Sequence, residues 1–324
     1  MYLSTTPIGT EIMVPETLEE DARSFFDYEF NSAMDYYYEH GFVIIRNMLN
    51  KEDCENIIVL FNKYIKKYSG KIPRSNGLSE VNKFNKNLFV MNALRNPHEH
   101  ANKKIQQYID ASLGLLSNKN LVEFNSNILS NENIELITWN HFEGNPVTIP
   151  HHDCYFFGSD LMVGEVVGTW IALEDINPGA GRLYIYPGSH HLDIKDFANL
   201  VGKNECFLNP VDSDYQKLII DFLTDSNLIC VAPYLQAGDV LFWDSRTIHG
   251  SLPTQQSEFS RHSFTAHYCL ANGRLAKKSN NKKLINLLLV DFPNYNFKLF
   301  IRDKLPFVVT FYQKYLKRLF NRIN

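Results

Sequence analysis

Residues 149–154 read IPHHDC, and this stretch decides what kind of site and fold the chain can build. On a β-strand, residues i and i+2 point to the same face, so His151 and Asp153 are predicted to converge on one point. An isolated histidine, His249, follows 96 residues after Asp153, which leaves room for several strands between them. Two imidazoles and one carboxylate on one face of a metal ion are typical of non-haem Fe(II) oxygenases.

The number of ligands matters for this chemistry. An iron centre of this kind binds a chelating co-substrate at two positions and O₂ at a third, so the protein supplies only three ligands. Arg261 lies twelve residues beyond His249, on what is predicted to be the next strand. A guanidinium group there can bind a distal carboxylate of the co-substrate through two parallel hydrogen bonds.

Other histidines near these positions fit the pattern less well. His152 is the middle residue of the motif, so it is predicted to point to the opposite face and to be structural. His190 and His191 are alternatives for the distal ligand. They follow a Pro-Gly-Ser turn, however, and only 37 residues separate His190 from Asp153.

The composition is that of an ordinary folded protein. The chain has 324 residues, of which 44% are hydrophobic and 21% charged. This length permits either two domains or one large domain with a wrapping helical layer. No apolar run approaches the roughly 20 residues of a membrane-spanning helix. The first residues are acidic and lack the basic-then-apolar pattern of a signal peptide, so the expected compartment is the cytoplasm.

Several classes of protein are disfavoured by what the sequence lacks. The five cysteines are scattered without a CxxC pair, which argues against a disulfide framework or a thiolate zinc site. There is no GxGxxG and no GxxxxGK[ST], the usual signatures of nucleotide sites. The net charge is −4, with residues 274–324 carrying +10 and the first 273 residues −14. A body this acidic argues against nucleic-acid binding.

Helical patterns come first in the chain and short strands later. Helices are predicted over 27–41, after Asn50, and over 101–116, from their apolar periodicity and capping residues. After about residue 120 the chain alternates short apolar segments with turn residues, as strands do. This order predicts a mainly β protein with an antiparallel double-sheet core and helical cover.

We therefore divide the chain into three parts. Residues 1–120 are the predicted N-terminal helical cover with the first strands, within the same domain as the core. Residues 121–272 are the predicted catalytic core, with an insertion over 193–232. Residues 273–324 are the predicted basic, helical C-terminal extension. The loops at 69–94 and 193–232 are the expected substrate contacts, because such contacts usually lie on variable loops.

The chain resembles the phytanoyl-CoA dioxygenase family of Fe(II)/2-oxoglutarate oxygenases. Five motifs in order, followed by His249 and Arg261, carry the resemblance: YYYEHGFVIIR at 36–46, PHHD at 150–153, TWIALED at 169–175, YPGSH at 186–190 and GDVLF at 238–242. The resemblance covers roughly residues 30–270, and the ordered set is far more specific than HxD alone. Thr254 stands where an Asn is often found, a departure that touches no ligand.

The family resemblance implies a double-stranded β-helix, the jelly-roll or cupin-like fold, flanked by N-terminal and C-terminal helices. It implies that His151, Asp153 and His249 are the catalytic iron ligands. It further implies that Arg261 binds the C5 carboxylate of 2-oxoglutarate and that Ser251 assists this arginine. The implied cofactors are Fe(II), 2-oxoglutarate as co-substrate, and O₂.

Two further residues are candidates for the co-substrate pocket. His141 is predicted either to lie near 2-oxoglutarate or the substrate, or to be a core histidine. Trp170 is predicted to form a pocket wall, with an ordinary core position as the alternative, because large aromatic residues in strands are commonly core.

The C-terminal residues 302–324 show apolar residues at helical spacing with lysines and arginines between them, which predicts a basic amphipathic helix. Such a helix can dock on the enzyme body or form a subunit contact. It can also attach the protein peripherally to an anionic membrane surface or to an acidic carrier.

The expected function is hydroxylation of an unactivated C–H bond in a small-molecule, lipid-linked or carrier-linked biosynthetic intermediate, with release of succinate and CO₂. Asp153 favours hydroxylation or a related oxidation over chlorination, because halogenating relatives replace this carboxylate with a small residue. Desaturation, epimerisation or ring formation on the same iron site are alternatives. A non-catalytic jelly-roll binding protein is a further alternative, although burying these polar groups together without a ligand is costly.

Overall fold

The computed structural model describes residues 1–21, 25–26, 29–100, 102–154, 165–191, 213–271, 273, 285–291 and 298–302. The α-helices in these ranges are α1 (Phe30–His40), α2 (Lys51–Leu60), α3 (Gln106–Leu116), α4 (Lys119–Ile128) and α5 (Ser213–Asp225). The strands are β1 (Tyr2–Thr5), β2 (Glu11–Val14), β3 (Phe25–Phe26), β4 (Phe42–Arg46), β5 (Ile72–Pro73), β6 (Ser79–Glu80), β7 (Leu94–Arg95), β8 (Asn133–Phe142), β9 (Thr148–His151), β10 (Val166–Ala172), β11 (Leu183–Ile185), β12 (Val240–Asp244), β13 (His249–Ser251), β14 (Ser263–Leu270), β15 (Ile285–Asp291) and β16 (Lys298–Arg302).

Two sheets form the body of the molecule. The larger sheet has the order β16-β15-β8-β14-β10-β12-β4-β3, with β7 paired to β8, and the smaller one has the order β11-β13-β9. Apolar side chains of β4, β10, β11 and β12 pack together between the two sheets. The architecture confirms the predicted mainly β, double-stranded β-helix core with an N-terminal helical cover.

The larger sheet has two distinct faces, which determine what each strand residue can contact. We call the face toward the smaller sheet the inner face and the face toward the helices the helical face. Residues of α1, α2, α3 and α4 pack on the helical face with Val43, Val167 and Phe264. Alternate residues, such as Leu241 and Trp243, lie on the inner face.

Local sequence accounts for the helical boundaries near the core. The Asn50 side chain caps α2 by accepting a hydrogen bond from the backbone N–H of Glu52 at 2.8 Å, as predicted. Helix α1 ends at Gly41, which adopts a left-handed conformation with φ 76°. A Cβ atom at Gly41 would lie 2.4 Å from Nδ1 of His190, so this position requires glycine for its conformation and for space.

A buried ion pair joins β4 to β12 and gives the GDVLF motif a structural role. Arg46 donates to Asp239 at 2.5 Å, and both side chains are almost fully buried. The other carboxylate oxygen of Asp239 accepts the backbone N–H of Asn47 at 3.0 Å. Arg46 also donates to the backbone carbonyl of Tyr234 at 2.7 Å.

The C-terminal prediction needs a correction. Residues 285–291 and 298–302 lie in the extension that was predicted to be helical, but they form strands β15 and β16. β15 pairs with β8 and so continues the larger sheet beyond the core. The run LINLLLV at 284–290 is a short, continuous apolar segment, for which periodicity alone does not separate strand from helix. Residues 303–324, which hold most of the predicted amphipathic helix, lie outside the described residues.

The N-terminal β1–β2 hairpin and helix α4 were not predicted from the sequence. Pro15, directly after β2, is tied to the core by Arg182, whose buried guanidinium group donates to its backbone carbonyl. In the described part of the chain, no helix is both long and apolar enough to cross a bilayer.

The buried ion pair makes a testable prediction about stability. Asp239→Ala leaves the Arg46 guanidinium group buried without a counter-charge, which should lower the free energy of unfolding by about 3–5 kcal/mol. Equilibrium urea unfolding measures this change. Asp35→Ala removes an exposed carboxylate from α1 and should change stability by less than about 0.5 kcal/mol. Equal, small effects in the two variants would contradict the structural role of the pair.

Candidate metal centre

The three predicted ligands meet at the junction of two neighbouring strands. His151 is the last residue of β9, and His249 is the first residue of β13 and pairs with it directly across the smaller sheet. Asp153 lies just beyond the end of β9. One ligand atom from each of the three residues lies within 4.8 Å of the other two. Nε2 of His151 and Nε2 of His249 are each 3.8 Å from Oδ1 of Asp153.

Backbone carbonyl groups orient both imidazoles. Nδ1 of His151 is 2.9 Å from the carbonyl oxygen of Ile149, and Nδ1 of His249 is 2.9 Å from that of Thr247. With the proton on Nδ1, each ring donates to its carbonyl and directs the Nε2 lone pair toward Asp153. Burial lowers the pKa of His151 to about 4 and also lowers the pKa of His249. Both rings are therefore neutral near pH 7, the form in which imidazole binds a metal.

The two carboxylate oxygens of Asp153 have different neighbours. Its Oδ2 accepts a hydrogen bond from the indole Nε1–H of Trp243 at 2.7 Å and lies 2.9 Å from Nε2 of His267. Its Oδ1 faces the two imidazoles. Burial by itself raises the pKa of Asp153, but His267, His249 and His151 together hold it well below its usual range. Asp153 is therefore an ionised carboxylate near pH 7.

Arg261 is a buried cation close to the start of β14. One of its guanidinium nitrogens donates to the backbone carbonyl of Gly181 at 3.0 Å, and the group lies 5.1 Å from the centre of the Phe142 ring. Its Nε is buried and has no hydrogen-bond partner among the described residues. Burial lowers the pKa of Arg261 to about 9, and no described carboxylate lies within ion-pair distance of it. A buried cation of this kind fits a ligand carboxylate.

Comparison with known proteins shows the family to which the chain belongs. A family model described as phytanoyl-CoA dioxygenase matches residues 37–263. The chain belongs to the phytanoyl-CoA dioxygenase family.

Two relatives share a name, phytanoyl-CoA dioxygenase domain-containing protein 1. The one from Danio rerio is 32% identical over 127 residues, which are 38% of this chain and 39% of the relative. The one from Mus musculus is 30% identical over 142 residues, 43% of this chain and 44% of the relative. The chain thus matches less than half the length of either relative.

Solved structures share the fold of this phytanoyl-CoA dioxygenase family member. The epimerase SnoN, crystallised with Fe³⁺, alpha-ketoglutarate and nogalamycin RO, superposes with a TM-score of 0.53 at 18% identity, covering 75% of this chain and 84% of SnoN. The carbocyclase SnoK from nogalamycin biosynthesis gives a TM-score of 0.50 at 18% identity, covering 74% and 84%. At this identity the likeness concerns the fold alone.

The histidines that compete with the motif for the ligand positions have other contacts in this family member. Nδ1 of His152 lies 3.3 Å from Sγ of Cys154 and 3.4 Å from the hydroxyl of Tyr215. Nε2 of His190 is 3.1 Å from the carbonyl oxygen of Tyr38, and Nε2 of His191 is 3.2 Å from that of Glu39. Within the described residues, the three-ligand cluster contains His151, Asp153 and His249 alone.

Ser251 lies on β13, two residues after His249. Its hydroxyl oxygen accepts the backbone N–H of Thr148 at 2.7 Å, which joins β13 to β9 beside the ligands. The hydroxyl proton is then available to another acceptor in the barrel. Assistance of Arg261 by Ser251 stays a prediction.

His141 does not face the predicted pocket; of its two predicted positions, the structure shows the core one. It pairs with Phe264 across β8 and β14, and both side chains lie on the helical face. Its Nδ1 is 2.7 Å from the hydroxyl of Tyr108, and its Nε2 is 3.0 Å from Nδ1 of His262. The inner-face position is the preceding residue, Asn140, since neighbouring strand residues point to opposite faces.

Asn140 belongs to a row of inner-face residues that the sequence did not single out. In register across four strands, Arg95 of β7 pairs with Asn140, Asn140 with Thr265, and Thr265 with Trp170. The side-chain oxygen of Asn140 is buried and has no hydrogen-bond partner among the described residues. Trp170 is buried on this inner face, as a wall of the barrel interior. Contact of Trp170 with the co-substrate stays a prediction.

Trp243 and His267, which both contact Asp153, were not singled out by the sequence analysis. A usable signal existed for His267, because strand alternation places Ser263, Thr265 and His267 on one face. Trp243 directly follows the GDVLF motif at 238–242, in a segment that was interpreted as a strand and not as part of the site. Neither residue has a ligand-like spacing to the HxD motif, and only the fold brings them to Asp153.

The triad makes a direct prediction about metal binding. His151→Ala, Asp153→Ala and His249→Ala should each abolish tight Co(II) binding, because each removes one of three ligands. Anaerobic Co(II) titration followed by visible absorption measures this. His190→Ala, which changes a histidine that contacts a backbone carbonyl, should bind Co(II) like the unaltered protein. Equal binding in all four variants would contradict the assignment.

Proposed function

We propose that the protein is an Fe(II)- and 2-oxoglutarate-dependent oxygenase that hydroxylates an unactivated C–H bond. One observation carries this proposal. A three-residue facial ligand set and a buried guanidinium group without a carboxylate partner are built into the same barrel. The ligand set fits Fe(II), and the guanidinium group fits the distal carboxylate of a dicarboxylate co-substrate.

His151, Asp153 and His249 would hold the iron through Nε2, Oδ1 and Nε2. Three ligands from one side leave the opposite positions for the co-substrate and O₂. Iron held there would supply O₂ activation coupled to decarboxylation of 2-oxoglutarate, with release of succinate and CO₂. The protein's own part is to keep both imidazoles neutral, keep the carboxylate ionised, and fix which hydrogen of the substrate faces the metal.

Arg261 would orient 2-oxoglutarate by binding its C5 carboxylate. Its burial strengthens such an ion pair, because the local dielectric constant is low. The inner-face row of Arg95, Asn140, Thr265 and Trp170 would form the wall along which the co-substrate lies. The unsatisfied Asn140 oxygen supports this, since buried polar atoms without partners are costly unless a ligand or water meets them.

Asp153 argues against halogenation, because a halide takes the position of this carboxylate in halogenating relatives, and it is compatible with hydroxylation and with related oxidations. The alternatives are desaturation, epimerisation and ring formation on the same iron site. The product mass separates them, with a gain of about 16 mass units for hydroxylation, a loss of about 2 for desaturation or ring closure, and no change for epimerisation. The proposed substrate is a small-molecule, lipid-linked or carrier-linked biosynthetic intermediate.

Arg261 supplies the experiment that tests the co-substrate assignment. Arg261→Ala should weaken 2-oxoglutarate binding roughly 100-fold, because two charge-assisted hydrogen bonds are lost. Isothermal titration calorimetry under argon with Fe(II) measures the affinity, and succinate formation in air measures turnover. Co(II) binding should be unchanged in this variant.

A matched control is Arg246→Ala. The Arg246 guanidinium group is already paired with Asp244 at 2.7 Å, so its loss should leave 2-oxoglutarate affinity unaltered. Unchanged 2-oxoglutarate affinity in Arg261→Ala would contradict the proposed role of this arginine. Succinate formation at the normal rate in the triad variants would contradict the proposed function.

A further inference from the structure

The Asp153 carboxylate is held by side chains from neighbouring strands of the larger sheet. Trp243 on β12 pairs with Gly168 on β10, and Gly168 pairs with His267 on β14. The three residues therefore form one row on the inner face. Both outer members of the row reach the same atom, Oδ2 of Asp153. We call Trp243, Gly168 and His267 the carboxylate bracket.

Gly168 is what allows the two rings to meet. A Cβ atom at this position would lie 2.0 Å from Cε2 of the Trp243 indole, which is impossible without displacing the ring. With no side chain in the middle of the row, the indole lies over the backbone of β10. The centres of the Trp243 and His267 rings are then 5.9 Å apart, nearly edge to face at 86°.

The bracket acts on the orientation of the carboxylate. An ionised carboxylate oxygen has about two lone-pair sites, and two donors on Oδ2 occupy them. Oδ1, which lies 3.8 Å from each ligand imidazole nitrogen, is left to face the metal. An Asp153 that turned to bind the metal through both oxygens would have to break both hydrogen bonds inside a buried site.

Trp243 also restrains a second ligand. The centre of its ring lies 4.8 Å from that of His249, and the two rings are tilted by 51°. One side chain therefore contacts both the carboxylate and the distal imidazole. Trp243, His267 and Asp153 are all buried, so these contacts exclude water from the back of the ligand set.

We propose that the carboxylate bracket fixes the orientation of Asp153, so that this carboxylate would bind the metal through Oδ1 alone. Trp243 and His267 are positioning residues that act through Asp153. Gly168 has no side chain and so leaves the space that the Trp243 indole occupies. This inference rests on the proposed function, because it concerns the same metal site. It goes further by naming what fixes the geometry of the carboxylate.

Replacing each donor tests the bracket, with Co(II) as the probe and O₂ excluded. Trp243→Phe keeps an aromatic ring but removes the N–H, and His267→Leu removes the second donor. Each should raise the Co(II) dissociation constant roughly 10- to 100-fold, the range typical of lost outer hydrogen bonds to metal ligands. Each should also change the visible Co(II) spectrum, because a freed carboxylate alters the coordination number.

Two further variants, His267→Gln and Gly168→Ala, extend the test. His267→Gln returns an N–H donor near the position of Nε2 and should restore both the affinity and the spectrum of the unaltered protein. Gly168→Ala should raise the dissociation constant as Trp243→Phe does, because it displaces the indole. A merely structural loss of packing would not be rescued by Gln and would not change the coordination spectrum.

The helical face of the same sheet supplies matched controls. Trp139→Phe removes an indole N–H that donates to His98 at 2.9 Å, and His141→Leu removes a buried imidazole. Both changes match the test variants in chemistry and burial but lie away from Asp153. They should leave the Co(II) affinity and spectrum unaltered, while thermal unfolding followed by circular dichroism confirms that all variants are folded.

The possible failures are distinguishable. If the unaltered protein binds Co(II) no better than Asp153→Ala, the proposed metal site itself is wrong. A second outcome begins with tight Co(II) binding by the unaltered protein and none by Asp153→Ala, so that the metal site stands. If folded Trp243→Phe and His267→Leu then match the unaltered protein in affinity and spectrum, the bracket is overturned. Equal effects in the test variants and the helical-face controls would also overturn it.

Discussion

The antiparallel pairing of His151 with His249 is the contact on which the rest of the site depends. It joins the end of β9 to the start of β13, so residues 98 positions apart in the chain become direct neighbours. Asp153 follows β9 closely enough to close the set. Because the pair lies in the smaller sheet, the larger sheet can approach from behind with Trp243 and His267. Metal ligands and supporting donors thus come from opposite walls of one barrel.

The barrel that contains the site buries several polar groups. Arg261 Nε and the side-chain oxygens of Asn140 and Thr138 are buried and have no hydrogen-bond partner among the described residues. Thr138 and Asn140 lie on the inner face of the larger sheet, where a bound ligand or water would satisfy their unpaired oxygens.

Strand alternation and ordered motifs predicted the cluster of His151, Asp153 and His249, because these residues lie in or just beyond continuous strand segments. The same reasoning left His141 open between the pocket and the core, since a one-residue change of register exchanges the two faces of β8 and only pairing with Phe264 reveals which face is inward. The apolar run at 284–290, which contains β15, lay in the extension that was predicted to be helical. A run this short and continuous has no periodicity that separates a strand from a helix. Trp243 and Gly168 could not be assigned, because their role arises from lateral neighbours on three strands.

The central claim is that His151, Asp153 and His249 bind Fe(II) together with 2-oxoglutarate, and one anaerobic titration tests it without knowledge of the substrate. Adding Fe(II) and 2-oxoglutarate should produce a weak metal-to-ligand charge-transfer band in the middle of the visible spectrum, and Asp153→Ala should abolish that band. Absence of the band in the unaltered protein with Fe(II) in excess, or its persistence in Asp153→Ala, would contradict the account.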